Sequence, residues 1–407
     1  MASILNVLMW YWGRRGAGPR YGLEVARSLV TEPSLRLHLS LSRQCEAFND
    51  FGQLSLPGIH VDTYTDHRSF LKGALRIPSL RRQFVDYVTA HQIDIVYSPM
   101  SHLWNAAFLS LPMRGGARYI LTLHDMTAHP GDDIWFRNWM LEREIRASDG
   151  LITLSNYVRE SVVSTHNYPP SRIHVIPLGQ FPYGEVAAAP RQLHGNEARL
   201  LFFGRIMPYK GLSLMLAAYG ELKRAYPRIR LTVVGDGSLG RCADAVEALA
   251  DVSVVNRWIA EDEIGGFFDQ ADIVVLPYTE ASQSGVVPVA FCKGIPVVCT
   301  PVGGLREQVR DGETGILAGA VSADAVARAI RRLIDEPGLY RRCSIGSLEE
   351  ARTSLSWSKI GSRVVEVMQD IAGRSPRTFR RRWSKCLTGG QCLREPGLGL
   401  TSTDEGS

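Results

Sequence analysis

Cysteine is scarce and its spacing forms no pattern. The seven cysteines, at 45, 242, 292, 299, 343, 386 and 392, are odd in number and contain no C-x-x-C pair. That argues against both a disulfide framework and a zinc site, and a reducing, cytoplasmic setting is expected. Long apolar runs are also missing: none approaches the ~18 residues of a membrane-spanning helix. The apolar opening "ILNVLMWYW" is short and its arginines follow it, the reverse of the order in a signal peptide. A soluble or peripheral protein is therefore expected. No G-x-G-x-x-G follows the first apolar run with an acidic residue ~20 positions on, which argues against a nicotinamide oxidoreductase, and no G-x4-G-K-[ST] marks a P-loop. Neither sign of charge is in excess on the body of the chain. The formal charge is +5, but from residue 374 onward seven Arg/Lys stand against three Asp/Glu, so the remainder is nearly neutral. A nucleic-acid groove needs its basic face on the fold itself, and no nucleic-acid partner is expected.

What the 407 residues do contain is repeated alternation. Short aliphatic runs ("ILNVLMW", "LRLHLSLS", "IHVDTY", "DIVYSP", "YILTLHD", "GLITLS", "IHVIPLG", then "RLLFFG", "RLTVVG", "VSVV", "DIVVLPY", "IPVVCT") are separated by helix-length amphipathic stretches. Continuous apolar strands spaced this way predict α/β architecture, with parallel sheets covered on both faces. Leu212, Met215, Leu216, Tyr219 and Leu222 carry the helical period. Between 179 and 196 the pattern lapses into "QFPYGEVAAAPRQLHGN", which reads as a linker. The expected organisation is a first doubly wound domain over 1–180, a linker over 181–196, a second such domain over 197–356, a helix over 357–372 and a basic low-complexity tail over 373–407. Ligands of such sheets bind at the carboxyl ends of the strands.

Two stretches carry chemistry. In "LFFGRIMPYKGL" a buried strand ends at Gly204, followed by Arg205 and then Lys210 at the head of a helix. Two fixed cations at a strand's carboxyl end suit a diphosphate, Arg through its planar fork and Lys as a point charge; two surface cations on a loop are the plain alternative. In "PYTEASQSGVVPVAFCKGIPVV" a strand runs into Ser282, Gln283 and Ser284, and Gly285 with Val286 opens a helix, an expected anion-binding N-terminus. Glu280 is an odd neighbour for phosphate and makes sense as an acceptor of sugar hydroxyls. In the first half, Gly16 and Gly18 of "YWGRRGAGPRYG" precede a helix expected to begin near Tyr21, and they read equally as a phosphate loop or a tight turn. His124 and Asp125 end a strand, with His129, Asp132 and Asp133 on the loop beyond. Asn256, Arg257 and Ile259 follow another strand, with Trp258 expected to pack.

Together "GR-x4-KG", "VVGDG", "DIVVLPY", Glu280 before a Gly-initiated helix and "GIPVV-x4-GG-x2-E" resemble the retaining glycosyltransferases of family 4, glycosyl transferases group 1. The resemblance covers about 1–372 and is strongest over 200–320. It implies the GT-B fold, two Rossmann-like doubly wound domains facing a cleft. It also implies a nucleotide-sugar donor on the second domain, with Arg205 and Lys210 on its diphosphate, Glu280 on its sugar and the segment around Arg257 and Ile259 near its base. Gly16 and Gly18 would lie beside the donor phosphates and His124 at the reaction centre. The family's second Glu, eight positions after the first, is absent: Pro288 or Val289 stands there, and the ribose contact is unassigned. No Asp-x-Asp is present, and since two cations can replace a metal, metal-independent transfer without a cofactor is expected. The acceptor is expected to be a carbohydrate or a lipid-linked group, in polysaccharide or glycoconjugate synthesis. A sugar-nucleotide epimerase of the same fold and a non-catalytic sugar-nucleotide-binding protein remain the alternatives. The segment "RSPRTFRRRWSK" reads either as a peripheral contact with the inner face of a membrane or as a solvated tail.

Overall fold

The computed structural model describes residues 4–111, 116–125, 134–193, 195 and 197–374. Residues 1–374 form one compact unit. Within it lie two parallel sheets. The first contains β1 (Leu5–Tyr11), β2 (Leu35–Ser42), β3 (Gly58–Val61), β4 (Ile95–Ser98), β5 (Arg118–Leu123), β6 (Gly150–Thr153) and β7 (Ile173–Val175), in the order β3-β2-β1-β4-β5-β6-β7. The second contains β8 (Arg199–Phe203), β9 (Arg230–Val234), β10 (Val252–Val255), β11 (Ile273–Leu276), β12 (Val297–Cys299) and β13 (Gly315–Leu317), in the order β10-β9-β8-β11-β12-β13. Every pairing is parallel, as continuous apolar runs separated by helices require.

Strand β1 shows why these runs fold so. Val7, Met9 and Tyr11 enter one core layer while Leu8, Trp10 and, just past the strand, Trp12 enter the other, so both faces of a central strand are buried. The helix Leu212–Ala225 buries Leu212, Met215, Leu216, Tyr219 and Leu222, the periodic residues, on the second sheet. Strand β13 is absent from the expected set because three residues of "TGIL" offer too short a pattern to recognise.

The segment joining the two sheets has no regular structure among its described residues, yet it is firmly held. The Arg191 guanidinium donates to the carbonyls of Lys293 (2.7 Å) and Ala271 (2.7 Å), and Arg352 to that of Ala187 (2.6 Å). The last helix, Trp357–Gly373, crosses back from the second sheet to the first. Its Gly361 lies against Ser28, where a Cβ would come within 2.7 Å. Its Arg363 donates to the Val175 carbonyl and its Ser362 to Glu32. Among the described residues no helix is long and apolar enough to cross a membrane. The segment 375–407, with the basic stretch and its Phe379 and Trp383, lies outside the described residues, as do His129, Asp132 and Asp133.

Candidate functional site

Both sheets reverse their strand order, between β1 and β4 and between β8 and β11, and crevices for ligands open at the carboxyl ends of such strand pairs. The chain beyond β8 is Gly204-Arg205, and that beyond β11 is Pro277 to Gly285.

Close backbone approaches bring these loops together. Gly235, at φ 147°, passes so near the Gly204 carbonyl that a Cβ would lie 1.9 Å from it, and the Ile206 N–H donates to Asp236 (2.8 Å). The "VVGDG" turn therefore holds the Arg205 loop. Gly211, at φ 72°, seats the other end of that loop on the Pro277 carbonyl, and the Thr279 N–H donates to Tyr209 (2.8 Å). Lys210 is thereby placed beside the Glu280 loop, its Nζ 3.9 Å from the centre of the Tyr278 ring. The Tyr278 hydroxyl lies 3.3 Å from Ser284 Oγ, so Lys210, Tyr278 and Ser284 form one continuous cluster. Arg205 and Glu280, on the two loops, are both exposed.

The Gly285 terminus differs from the expected row of open donors. Gln308 closes a two-bond clasp on Ser284, accepting from its N–H (2.7 Å) and donating to its carbonyl (3.1 Å), and the Val286 N–H is bonded to Ser284 Oγ (3.3 Å). The helix itself, Val286–Cys292, is short. Gly285 has φ −68° and a Cβ there would meet only Leu178, at 3.8 Å, so neither backbone nor packing demands glycine. Gln283 Oε1 is buried without a hydrogen-bond partner among the described residues, and the Ser282 carbonyl accepts from Ser155 in the first half (3.0 Å). Pro288 and Val289 are both buried in the helix, away from any hydroxyl.

On the first sheet the helix starts at Ala17, earlier than its sequence suggests, with Gly16 at the cap. The Gly16 N–H donates to Glu46 Oε1 (2.9 Å), so the chain's own carboxylate occupies a position expected to face phosphate. Burial raises the carboxyl pKa of Glu46. Gly18 is needed for packing, since a Cβ there would lie 2.6 Å from Met100 Sδ and 2.8 Å from the Tyr11 hydroxyl.

His124 stands at the end of β5, edge-on to Tyr21 (4.8 Å between ring centres), with Nε2 2.9 Å from the Pro99 carbonyl. A carbonyl only accepts, so Nε2 carries the proton and Nδ1 presents a lone pair. Burial lowers the His124 pKa, against smaller opposing effects of Pro99 and Asp125, and keeps the ring neutral. A cavity of about 340 Å³ opens beside it, lined also by Ser101, His102, Asp125 and Asn138. The contacts of His124 with Pro99 and Tyr21 both lie within the first half.

Arg257 forks onto Glu263 (2.8 and 2.5 Å), which also accepts from the Ala260 N–H, so this arginine anchors the start of the helix Glu261–Asp269. Ile259 is buried. Trp258, expected to pack, is 60% exposed and free to stack on a ligand.

Three contributors have roles that a reading of the sequence misses. Glu307 accepts from the Asn156 N–H (2.7 Å), the Asn156 side chain (2.9 Å) and the Tyr157 N–H (2.7 Å), capping a first-half helix from the second half. Gln308 holds Ser284, and Tyr278 carries Lys210. "GG-x2-E" signalled Glu307, but nothing in the sequence names its partner 150 residues away.

Comparison with known proteins accords with this arrangement. The family described as Glycosyltransferase Family 4 matches residues 46–179, and that described as Glycosyl transferases group 1 matches 197–336, one family on each sheet. The two sheets have the GT-B fold, and each carries a match to a glycosyltransferase family. The chain is 30% identical to a D-inositol 3-phosphate glycosyltransferase of Nocardioides sp. over 251 residues, 56% of this chain and 54% of the relative. It is 27% identical to the one from Thermobispora bispora over 338 residues, 76% of each. The chain thus spans about half the length of the first of these curated relatives. Its fold is shared by the Anabaena protein HepE solved in complex with UDP, with a TM-score of 0.71 at 16% identity, covering 90% of this chain and all of that one.

Proposed function

We propose that this protein is a glycosyltransferase that moves a sugar from a nucleoside diphosphate sugar to an acceptor hydroxyl with retention of anomeric configuration. The observation that carries the reading is the seating of Lys210 on Tyr278, where the loop that bears Arg205 meets the loop that bears Glu280, at the crevice between β8 and β11. UDP in the structural neighbour HepE supports a nucleotide donor. The departing diphosphate gains negative charge, so fixed cations act more strongly in the transition state than in the ground state. Arg205 and Lys210 supply that charge. The Gly285 terminus adds less than an open helix end, because Gln308 already takes the Ser284 N–H.

Glu280, acceptor-only when ionised, orients the hydroxyls of the donor sugar. Gln283, with its unpartnered oxygen, accepts a further hydrogen bond from the donor, and Trp258 offers a stacking face to the base. From the first sheet, neutral His124 accepts from a sugar hydroxyl through Nδ1. It holds its ring fixed through the Pro99 carbonyl.

The test is incubation with UDP-, GDP- and ADP-sugars, with and without an acceptor panel of saccharides, inositol phosphate and lipid-linked sugars, in EDTA. Acceptor-dependent release of nucleoside diphosphate supports transfer. Interconversion of the sugar without release would indicate epimerisation, and binding without turnover a non-catalytic role. Glu280→Gln should weaken nucleotide-sugar binding while leaving free nucleoside diphosphate bound; equal loss of both removes Glu280 from the sugar.

A further inference from the structure

Beyond Glu280, at the carboxyl ends of β11, β12 and β13, lies a cleft of about 590 Å³ whose lining includes neither Arg205 nor Lys210. Glu280, Gly303, Arg306 and Val321 form its second-half walls, and Tyr157, at the start of the helix Asn156–His166, closes it from the first half. The volume is that of a small-ligand site. Tyr157 is 43% exposed, so the core does not account for it, and its hydroxyl has no hydrogen bond among the described residues. Its base is nevertheless pinned. Glu307 takes the Tyr157 N–H (2.7 Å), and the ring leans on Gly303, where a Cβ would be 3.4 Å from Cε1. An aromatic ring held in place at low entropic cost, with one face open to a cleft, is suited to a ligand having an apolar face and polar edges. The charged residues at the walls are one carboxylate and one guanidinium, so the cleft favours a neutral, polyhydroxylated partner over a phosphate.

The geometry points to a saccharide-binding acceptor subsite in this cleft, with the sugar ring stacked on Tyr157 and its hydroxyls shared between Glu280 and Arg306. This rests on the transferase reading only in naming the occupant as acceptor. Glu280 would then lie at the border, with the donor sugar on its β8 side and the acceptor chain running toward β13. The carbohydrate would be an oligosaccharide, because a cleft of about 590 Å³ has room for more than one sugar ring.

The experiment is saturation-transfer NMR and calorimetry on the full chain with maltotriose, cellotriose and α-mannotriose, each with and without UDP. At least one trisaccharide should bind the wild-type protein. Tyr157→Ala should weaken that binding about tenfold, the upper range for an aromatic stacking contact, and Tyr157→Phe should restore it. UDP affinity should not change in Tyr157→Ala but should fall in Arg205→Ala. Failure of all three trisaccharides to bind overturns the subsite, and so does equal binding by Tyr157→Ala. If Tyr157→Ala instead impairs UDP-glucose binding as strongly as trisaccharide binding, the cleft holds the donor's own sugar and the proposal fails. A wild-type protein that binds a trisaccharide but no nucleoside diphosphate would refute the transferase reading while leaving the subsite standing.

Discussion

Replacing Lys210 by methionine separates the charge of this residue from its packing. The methionine side chain keeps an apolar stem over Tyr278 and loses the ammonium that lies 3.9 Å from the ring centre. A cation–π contact at such a partly exposed site is worth ~0.5–1 kcal/mol. For a domain of 150–250 residues, 1 kcal/mol shifts Tm by about 2–4 °C, and the compact unit here is larger, so thermal stability should barely move. The transition state is affected far more. Removing one donor to a developing anion costs roughly 2.7–4 kcal/mol, or about 10²–10³ in kcat. Lys210→Met should therefore lose two decades or more of turnover on whichever nucleotide sugar the wild type uses, at an almost unchanged Tm. Lys210→Arg should recover part of the loss, since a guanidinium also stacks on Tyr278 but presents a fork in place of a point charge. Steady-state release of nucleoside diphosphate and differential scanning calorimetry on the same preparations decide the matter. A fall of less than about threefold in kcat, well below that range, would refute the phosphate assignment. A rate loss explained by a large drop in Tm would make Lys210 a structural residue.

Glu307→Ala removes a cap from the helix Asn156–His166 and should cost ~1 kcal/mol, the usual value for a lost N-cap, read from the urea midpoint; an unchanged midpoint would show that water replaces the carboxylate at no loss. Burial holds the His102 pKa down at about 3 against an ordinary 6.5, so below pH 6.5 the unfolded chain takes up a proton that the folded one refuses. Stability is then complete above pH ~7 and declines as the pH falls from 6.5 toward 3, by up to ~1.4 kcal/mol per unit, and His124 acts in the same direction. Urea titrations at pH 7.5 and 5 should differ by ~2 kcal/mol from His102 alone, and His102→Gln should flatten the profile. Truncation after Arg374, the last residue of the compact unit, should leave thermal unfolding unchanged and reduce binding to anionic vesicles in low salt; equal binding by both forms assigns the basic tail no membrane role.

Much of this architecture can be read from periodicity, because buried parallel strands and amphipathic helices write themselves in residue type. Positions determined by distant partners cannot. The pattern of Leu212, Met215, Leu216, Tyr219 and Leu222 is local and folds as written. Gly18 looks like a ligand loop in sequence, yet it is dictated by Met100, 82 positions on, which only the folded chain brings near. Ser284 has the composition of an open anion site until Gln308 arrives from the short helix that follows β12. Trp258 reads as core by its chemistry and lies outside because β10 is an edge strand. Tyr157 and Glu307, from opposite halves, had no common signal at all.

The last helix also has a bearing on how the chain is made. Ser362 bonds to Glu32 across 330 residues, and Ile371 covers Gly150 on the first sheet. At a synthesis rate of ~5–20 residues per second, the first sheet waits about 10–40 s after its last strand is made at Val175 before its covering helix is complete at Gly373. Through that interval the groove around Ser28, Gly150 and Val175 has no native partner, so the nascent first half is exposed to chaperones and to misassociation. The closing helix thus turns the order of translation into an order of folding. The amino-terminal half, though made first, is the last to be finished.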